Sequence, residues 1–598
     1  GGGPLISMIE RLRRMSNVEG LPATVKFGTP SDFYKELEAT SHDLPAWKGE
    51  LYFELHRGTY TSQAQTKKGN RKSELLLRDV EILASLCTVD PAIEFKTPKK
   101  ELDRMWKLVL LNQFHDVLPG SSIEIVYDDA LKFYRDVSRS ASAIRDEAFD
   151  KLVRSVPADS NAVQGISVYN ATSWARTSTI LEVDLYTLPQ TQSWGNAFHQ
   201  LSADGSKGLA LVEGIPAFGV KHFGLRYPST SFSPVKVATG ADGSIVVNND
   251  FIQASFDVNG RLYSYVDKRH GNREIIAPGM LANVLKLFED IPLFWDAWDV
   301  EIYHLEKGWN AGVGTLSIEE RGPLRAVLRI EHPITPISTL VQKIIITAVE
   351  AKIDFETWVD WNENRKFLKV EFPFNIMSDV ATYETQFGIV SRPTHYNNSW
   401  DLARFEVCGH KFADFSEHGY GVAVLNDCKY GYAVHDNVMR LSLLRSPKAP
   451  DLNCDMVPNT PLLHDPLYQG EHTFKYALYP HGGTFAESDV VQKGYELNVP
   501  LLVRPTPVNP ANPHITEFFS VSHPNLVLDT IKPAEDESGT LILRLYESQG
   551  GRGVAHVKSA LRIVDAVFCN VLEDAGGELV VPFAPFKIVS IRVKAAKA

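Results

Sequence analysis

Val156-Pro157-Ala158-Asp159-Ser160-Asn161 divides this 598-residue chain into two regimes. A proline followed by small and short polar side chains is linker chemistry, because such residues favour turns and bury little apolar surface. Before this stretch, apolar residues recur at helical spacing. After it come short runs rich in Val, Ile, Phe and Tyr, punctuated by Gly, Asn, Asp and Pro, which is the pattern of strands and turns.

Upstream of the linker, residues 73–86 place Leu76, Leu77, Val80, Leu83 and Ala84 on one helical face. Residues 101–115 repeat the pattern with Leu102, Met105, Trp106, Val109 and Leu110. A third helix is expected over residues 123–153, with Ser121 or Ser122 as its N-cap and Pro119-Gly120 closing the element before it. Met8, Ile9, Leu12 and Met15 give a shorter amphipathic stretch near the start.

Downstream, strands are expected within residues 165–169, 244–247, 251–256, 326–330, 343–348, 366–372, 541–546 and 588–593. Asp257-Val258-Asn259-Gly260-Arg261 reads as a hairpin turn. The expected fold class is therefore α+β multidomain: a helical-bundle middle domain followed by large antiparallel β-sandwich domains.

Bulk properties narrow the partners. The length calls for several domains. A composition 44% hydrophobic and 22% charged is that of a folded globular protein. A net charge of -12 disfavours nucleic acid, whose phosphates select clustered Lys and Arg. No apolar run reaches the about 20 residues of a membrane span. Residues 340–349 are broken by Gln342 and Lys343 and read as a strand. Cys87, Cys408, Cys428, Cys454 and Cys569 are odd in number and form no CxxC pair, against both a disulfide framework and a thiolate zinc site. A reducing compartment, cytoplasmic or similar, fits. The sequons at Asn170 and Asn397 carry little weight.

Four polar clusters are candidates for chemistry. The first runs Leu111-Asn112-Gln113-Phe114-His115-Asp116-Val117-Leu118-Pro119-Gly120-Ser121. Helical spacing sets His115 with Leu108 and Leu111, facing the interior, so that by itself it reads as a core histidine more readily than a ligand. One His is not a zinc site, which needs three or four donors. The second, residues 49–63, alternates Leu51, Phe53 and Leu55 with Tyr52, Glu54 and His56. A strand there would put Glu54 and His56 on one face, with Arg57 and Tyr60 at its end. A solvated loop is the plainer alternative. The third, residues 292–300, pairs Trp295 and Trp298 with Asp296 and Asp299. Aromatic faces pack on sugar C–H groups and carboxylates accept from hydroxyls, although Trp is also a common core anchor. The fourth spans residues 392–427 and includes Trp400, Arg404, Glu406, His410, Asp414, Asn426 and Asp427. Most of these residues would equally suit strand edges.

Together these stretches resemble family 38 glycoside hydrolases, the class II α-mannosidases, and in particular their cytosolic and vacuolar branch. The resemblance rests on residues 49–63 with Lys67-Lys68-Gly69-Asn70-Arg71, on the Asn112–Asp116 element, and on residues 295–300, 366–372, 392–400 and 425–431. It implies a retaining exo-glycosidase that removes terminal α-mannose from free oligosaccharides or glycans by a two-carboxylate scheme. It also implies a zinc ion, held by two His and two Asp, that binds the 2- and 3-hydroxyls of the sugar. By that resemblance His115 is a metal ligand and Asp116 a substrate-binding neighbour. Glu54, His56, Arg57, Tyr60, Trp298 and Asp299 become further substrate-binding candidates.

The remaining ligands and the nucleophile belong, in that family, to an N-terminal α/β domain. No His-x-Asp triplet occurs here: His42-Asp43, His115-Asp116, His435-Asp436 and His464-Asp465 are all adjacent pairs. The expected organisation is thus a remnant of the α/β domain in residues 1–44 and a helical middle domain in 45–155. A small β domain (156–240), a large sandwich (241–500) and a C-terminal β domain (501–598) would follow. Gly1-Gly2-Gly3-Pro4 resembles the tail of a glycine-rich loop. The expectation is a C-terminal part of an α-mannosidase, with an incomplete zinc site, no catalytic residue of its own and no activity alone. The rivals are a non-catalytic carbohydrate-binding sandwich protein and a scaffold that pairs with other subunits; homo-oligomerisation is compatible with either.

Overall fold

The structure, a computed structural model, describes residues 3–20, 23–90, 92–154, 163–188, 198–224, 232–447, 470–508, 515–574 and 581–596. The linker at 156–161, Cys454, His464-Asp465, Gly1 and Gly2 lie outside the described residues. The chain forms two compact units, Gly1–Tyr52 and Phe53–Ala598.

The first unit holds helices α1 (Ile6–Met15) and α2 (Pro30–Thr40). Thr29 caps α2 by accepting from the Asp32 amide at 3.2 Å, with Pro30 at the first helical position. Neither helix buries a side chain.

The second unit opens with three helices, α3 (Ala64–Thr88), α4 (Lys99–Asn112) and α5 (Glu124–Arg154). Their periodic apolar faces meet as expected: Leu77 and Val80 of α3, Leu102, Met105 and Val109 of α4, and Val137 and Ala141 of α5 form one cluster. The helix expected over residues 73–86 starts nine residues earlier. Its first turns read as polar, but Lys67, Asn70 and Arg71 are buried there. Gly69 is required where it stands, since a Cβ would lie 2.4 Å from the Tyr134 ring of α5. In the opposite direction, α4 stops at Asn112 instead of continuing to residue 115.

Every strand pairing described is antiparallel, and each expected strand is present. Two large sheets pack face to face. A nine-stranded sheet is centred on Ile353–Trp361 and Gly470–Gly482; a six-stranded sheet is built on Val284–Glu289, Lys366–Pro373 and Val438–Arg445. Ile353–Trp361 buries Ile353, Phe355, Thr357, Val359 and Trp361 and leaves the alternate residues half-exposed. Phe355 and Tyr476 of one sheet pack on Phe372 of the other, with centroids 6.3 and 6.0 Å apart. The 257–261 turn joins Ile252–Phe256 to Leu262–Asp267, with Gly260 at φ +79° and the Asp257 carboxylate accepting from the Asn259 and Arg261 amides.

A four-stranded sheet runs Leu502–Val508, Val163–Asn170, Gly219–Gly224, Ile515–Glu517. Strands on either side of residue 500 therefore share ladders with the strand that follows the linker. Leu526–Pro533, Leu541–Glu547, Ile588–Ala596 and Arg562–Cys569 form a further sheet. One core joins Leu83 and Leu86 of α3 and Phe149 of α5 to Leu528, Ile531 and Leu543 of that sheet. Helices and sheets are thus cemented together along the length of α3. No helix among the described residues is long and apolar enough to cross a membrane.

Candidate functional site

The site is built outward from residues 55–63. Leu55 and Gln63 both adopt positive φ, +65° and +56°, and between them Arg57–Tyr60 forms a one-turn 3₁₀ helix. The alternation in residues 51–56 therefore does not make a strand, because a left-handed residue breaks the pleat and the backbone donors go elsewhere. The Gly58 and Thr59 amides both donate to Trp298 O, at 2.8 and 3.1 Å. Ser62 Oγ donates to Ala297 O at 2.8 Å. Glu54 and His56 do not share a strand face. Glu54 is exposed; His56 is half-buried, with its ring 4.2 Å from that of Phe53. Tyr60 is half-buried.

Arg57 and Asp299 are buried and paired with each other at 3.4 Å. The Asp299 carboxylate also faces the Arg57 amide. Arg57 Nε donates to Ala403 O at 3.0 Å, at the end of helix α6 (Ser399–Ala403), and its guanidinium lies over the Phe405 ring. The second, third and fourth sequence clusters thus converge on one turn. Trp298 is half-buried and meets the exposed Trp295 edge to face at 5.5 Å.

One guanidinium holds this convergence. Arg445, on the strand Val438–Arg445, has a fully buried side chain and pairs with the equally buried Asp290 through Nε at 2.8 Å. Its remaining donors reach Asp296 O (2.8 Å), Asp299 O (2.7 Å), Ala297 O (3.4 Å) and Ser62 Oγ (3.0 Å). Nothing in the sequence distinguished Arg445 or Asp290, because an arginine at a strand end and an acid after a strand are ordinary surface residues by composition. Lys369 and Glu406 form a second buried ion pair at 2.5 Å, with Ser442 Oγ on the same carboxylate.

The first cluster docks against the same turn. Lys67 Nζ donates to Ser62 O, Leu118 O and Pro119 O at 2.5, 2.9 and 3.1 Å. Gly120, at φ +93°, lies so close that a Cβ would meet Ser62 O at 2.6 Å. Burial, reinforced by the charges of Arg445 and Lys429, pushes the Lys67 pKa down to about 7. The unfolded chain, with a lysine pKa of about 10.4, then binds more protons than the folded one between pH 7 and 10. Stability should rise with pH across that window by up to about 1.4 kcal/mol per pH unit. Lys67→Met should remove the rise, and denaturant titrations of both proteins at several pH values check it.

His115 departs from its sequence expectation. Because α4 ends at Asn112, helical spacing does not carry to residue 115, and Leu111 is itself 57% exposed. The His115 side chain is 76% exposed, and its Nε2 is 3.1 Å from Asp116 Oδ2. Asp116 is held in place: Oδ1 accepts from Ser121 Oγ at 2.9 Å, and its carbonyl accepts from the Ser121 amide and from Tyr127 OH. Ser121 and Ser122 are engaged with Asp116 and Tyr127 Oη. Phe114 packs on the His115 ring at 4.5 Å. An exposed His–Asp pair therefore stands on a fixed loop.

Of the rest of the fourth cluster, Trp400 is exposed, whereas Glu406, Asp414, Asn426 and Asp427 are buried. His410 is half-buried, and desolvation holds its pKa down to about 3, so it stays neutral. Asp414 is buried against His481 at 2.8 Å, and Asn426 takes Arg71 Nη1 at 3.1 Å.

Among the described residues no group of three or more His, Cys, Asp or Glu is placed to hold a metal ion. His115 and Asp116 supply two donors, which is too few for a zinc site. The described residues by themselves do not fit zinc.

Three family models match the chain: the alpha mannosidase middle domain over residues 54–152, the glycosyl hydrolases family 38 C-terminal domain over 247–453, and the family 38 C-terminal beta sandwich domain over 525–591. Human alpha-mannosidase 2C1 is 40% identical over 99% of the chain and 54% of its own length. Alpha-mannosidase G of Dictyostelium discoideum is 38% identical over 96% and 54%, and alpha-mannosidase of Saccharomyces cerevisiae 35% over 94% and 49%. The chain spans about half the length of these curated relatives. The crystal structure of an alpha-mannosidase from Enterococcus faecalis V583 has the same fold, with a TM-score of 0.75 at 17% identity over 94% of this chain and 72% of that one. The chain belongs to glycoside hydrolase family 38, whose middle and C-terminal domains it carries.

Proposed function

We propose that this chain supplies one wall of a retaining α-mannosidase site, with His115 as one zinc donor and Asp116 as a hydroxyl acceptor for terminal α-mannose. The other donors and the nucleophile would come from outside the described residues. The observation that carries this reading is the convergence of the clusters on one turn: the loop with the exposed His–Asp pair is tied through residues 118–120 to Ser62, which also meets Ala297. Sequence identity to proteins named α-mannosidases supports the substrate class.

The surroundings support an incomplete site. Phe53, Leu55, Leu111, Phe114, Phe294 and Trp400 are all more than half exposed. Apolar side chains in that density around polar ligands mark a surface that another folded part covers. The chemistry assigned to this chain's own residues is limited accordingly. The Ser121 and Tyr127 contacts fix Asp116 as an acceptor, the aromatic loop offers a face for the sugar, and the Lys67 clamp holds loop and turn in register. A metal ion held by His115 together with donors from outside the described residues would supply Lewis-acid polarisation of the bound sugar. Cytoplasmic location is proposed from the family branch.

The 598-residue chain alone should contain no stoichiometric zinc by metal analysis and hydrolyse no aryl α-mannoside. A polypeptide extended to the length of the relatives should do both, and its His115→Ala variant should lose both. Zinc and turnover in the 598-residue chain would overturn the shared-site reading. Glycan binding by that chain unaffected by chelator, without turnover in the extended one, would favour a lectin.

A further inference from the structure

A cavity that shares no lining residue with these clusters lies between the ends of the two large sheets. It encloses about 190 Å³ and is lined by the 259–261 turn, the 310–314 loop and the strands at 283–285, 330–332 and 340–342. That is room for several waters or one sugar ring.

Its floor is a closed, uncharged network. Asn283 Nδ2 donates to Gln342 Oε1 at 2.8 Å, Gln342 Nε2 donates to Thr357 Oγ1 and Tyr476 Oη at 2.9 and 2.7 Å, and Tyr476 OH returns to Asn283 Oδ1 at 2.7 Å. Above the floor sit groups with no partner. His332 Nδ1 is buried without a hydrogen bond, and no side-chain bond is made by the Asn259 or Asn310 amides among the described residues. Burial lowers the His332 pKa, so the ring presents a neutral donor and acceptor. Arg261 is neutralised by Asp257 at 2.7 Å. Leu285, Ile330 and Leu340, each more than nine-tenths buried, contribute the apolar part of the lining. The loop packs tightly at its glycines: a Cβ on Gly312 would lie 2.3 Å from Pro333 O, and one on Gly314 would lie 2.9 Å from Ile330 and 3.0 Å from Asn259 O.

We propose that this cavity is a separate binding site for one neutral monosaccharide unit, recognised by the Asn259, Asn310 and His332 side chains with its C–H face on Leu285, Ile330 and Leu340. An anion would find no unpaired cation here, and a purely apolar ligand would strand a buried imidazole nitrogen. A neutral ring with hydroxyls on one face and C–H groups on the other satisfies both walls. The proposal does not depend on the mannosidase reading, because no lining residue belongs to the His115 face.

The test is calorimetric titration of the 598-residue chain with methyl α-mannoside in the presence of EDTA. Saturable binding is expected, weakened about tenfold by Asn310→Ala, the loss of one good hydrogen bond. Asn310→Trp, which adds bulk to the lining, should abolish it, and Met377→Ala, at an exposed side chain outside the lining, should leave it unchanged. Asn310 is exposed, so melting curves of its variants should match the parent's. Absence of saturable binding, undiminished binding in Asn310→Trp, or preference for glucuronate over the neutral glycoside would each overturn the proposal.

Discussion

Arg445→Met is expected to destabilise the protein by about 3–5 kcal/mol, the cost of leaving one member of a buried ion pair without the other. Asp290 would lose a guanidinium bound through two nitrogens, at 2.8 and 3.2 Å. The carbonyls of Asp296 and Asp299 would lose their Arg445 donor at the same time. Methionine keeps the bulk of the stem, so the loss reports on hydrogen bonds and charge more than on packing. Global melting of a multidomain chain is a poor reporter, because its domains need not unfold together. Amide exchange read by mass spectrometry is the better measurement. Peptides covering residues 57–62 and 295–299 should lose protection, while Leu541–Glu547, in a different sheet, should keep it. Unchanged exchange at 57–62 would show that the turn is held by something other than Arg445.

Gly58→Ala should be the next most damaging change, for a reason on the other side of the same contact. A Cβ at residue 58 would stand 2.0 Å from Arg445 Nη1 and 2.9 Å from Asp299 O. The backbone oxygen is fixed by its loop, so either the guanidinium leaves its carbonyls or the 3₁₀ turn moves off Trp298. Overpacking of this kind costs about 1–3 kcal/mol. Its diagnostic is coupling: combined with Arg445→Met, the contact with the guanidinium disappears and only that with Asp299 O remains, so the double variant should be more stable than the sum of the two losses predicts. Additive losses would mean that Gly58 is needed for its own backbone and not for the arginine.

Both predictions concern residues that carry no signal in the linear sequence. Gly58 looks like one turn glycine among 40, and Arg445 closes a strand whose next residues are polar. The secondary structure was far easier to read. The helical faces of α4 and α5, the alternation in Ile353–Trp361 and the Asp-x-x-Gly hairpin at 257–260 each repeat a local period, and a local period survives in the chain regardless of what lies opposite. Reading failed where the partner decided. The first turns of α3 are polar because they face buried carbonyls and Tyr430, as Arg71 does at 2.9 Å. Residues 51–56 alternate like a strand, but Leu55 turns left-handed and no ladder forms. His115 follows the spacing of α4, yet the helix ends three residues before it.

By itself the sequence determined the class of fold, the position of the helix-to-sheet boundary and the family, because these depend on periods, turn chemistry and long uninterrupted motifs. The tertiary structure alone decided that the 57–62 turn meets residues 118–120, 297–299 and 403–405. It alone exposed the His115–Asp116 pair and turned Arg57 and Asp299 toward each other. The physical reason is that a buried charge is tolerated only where a partner and several carbonyls meet it, and those partners stand up to 383 residues apart in the chain.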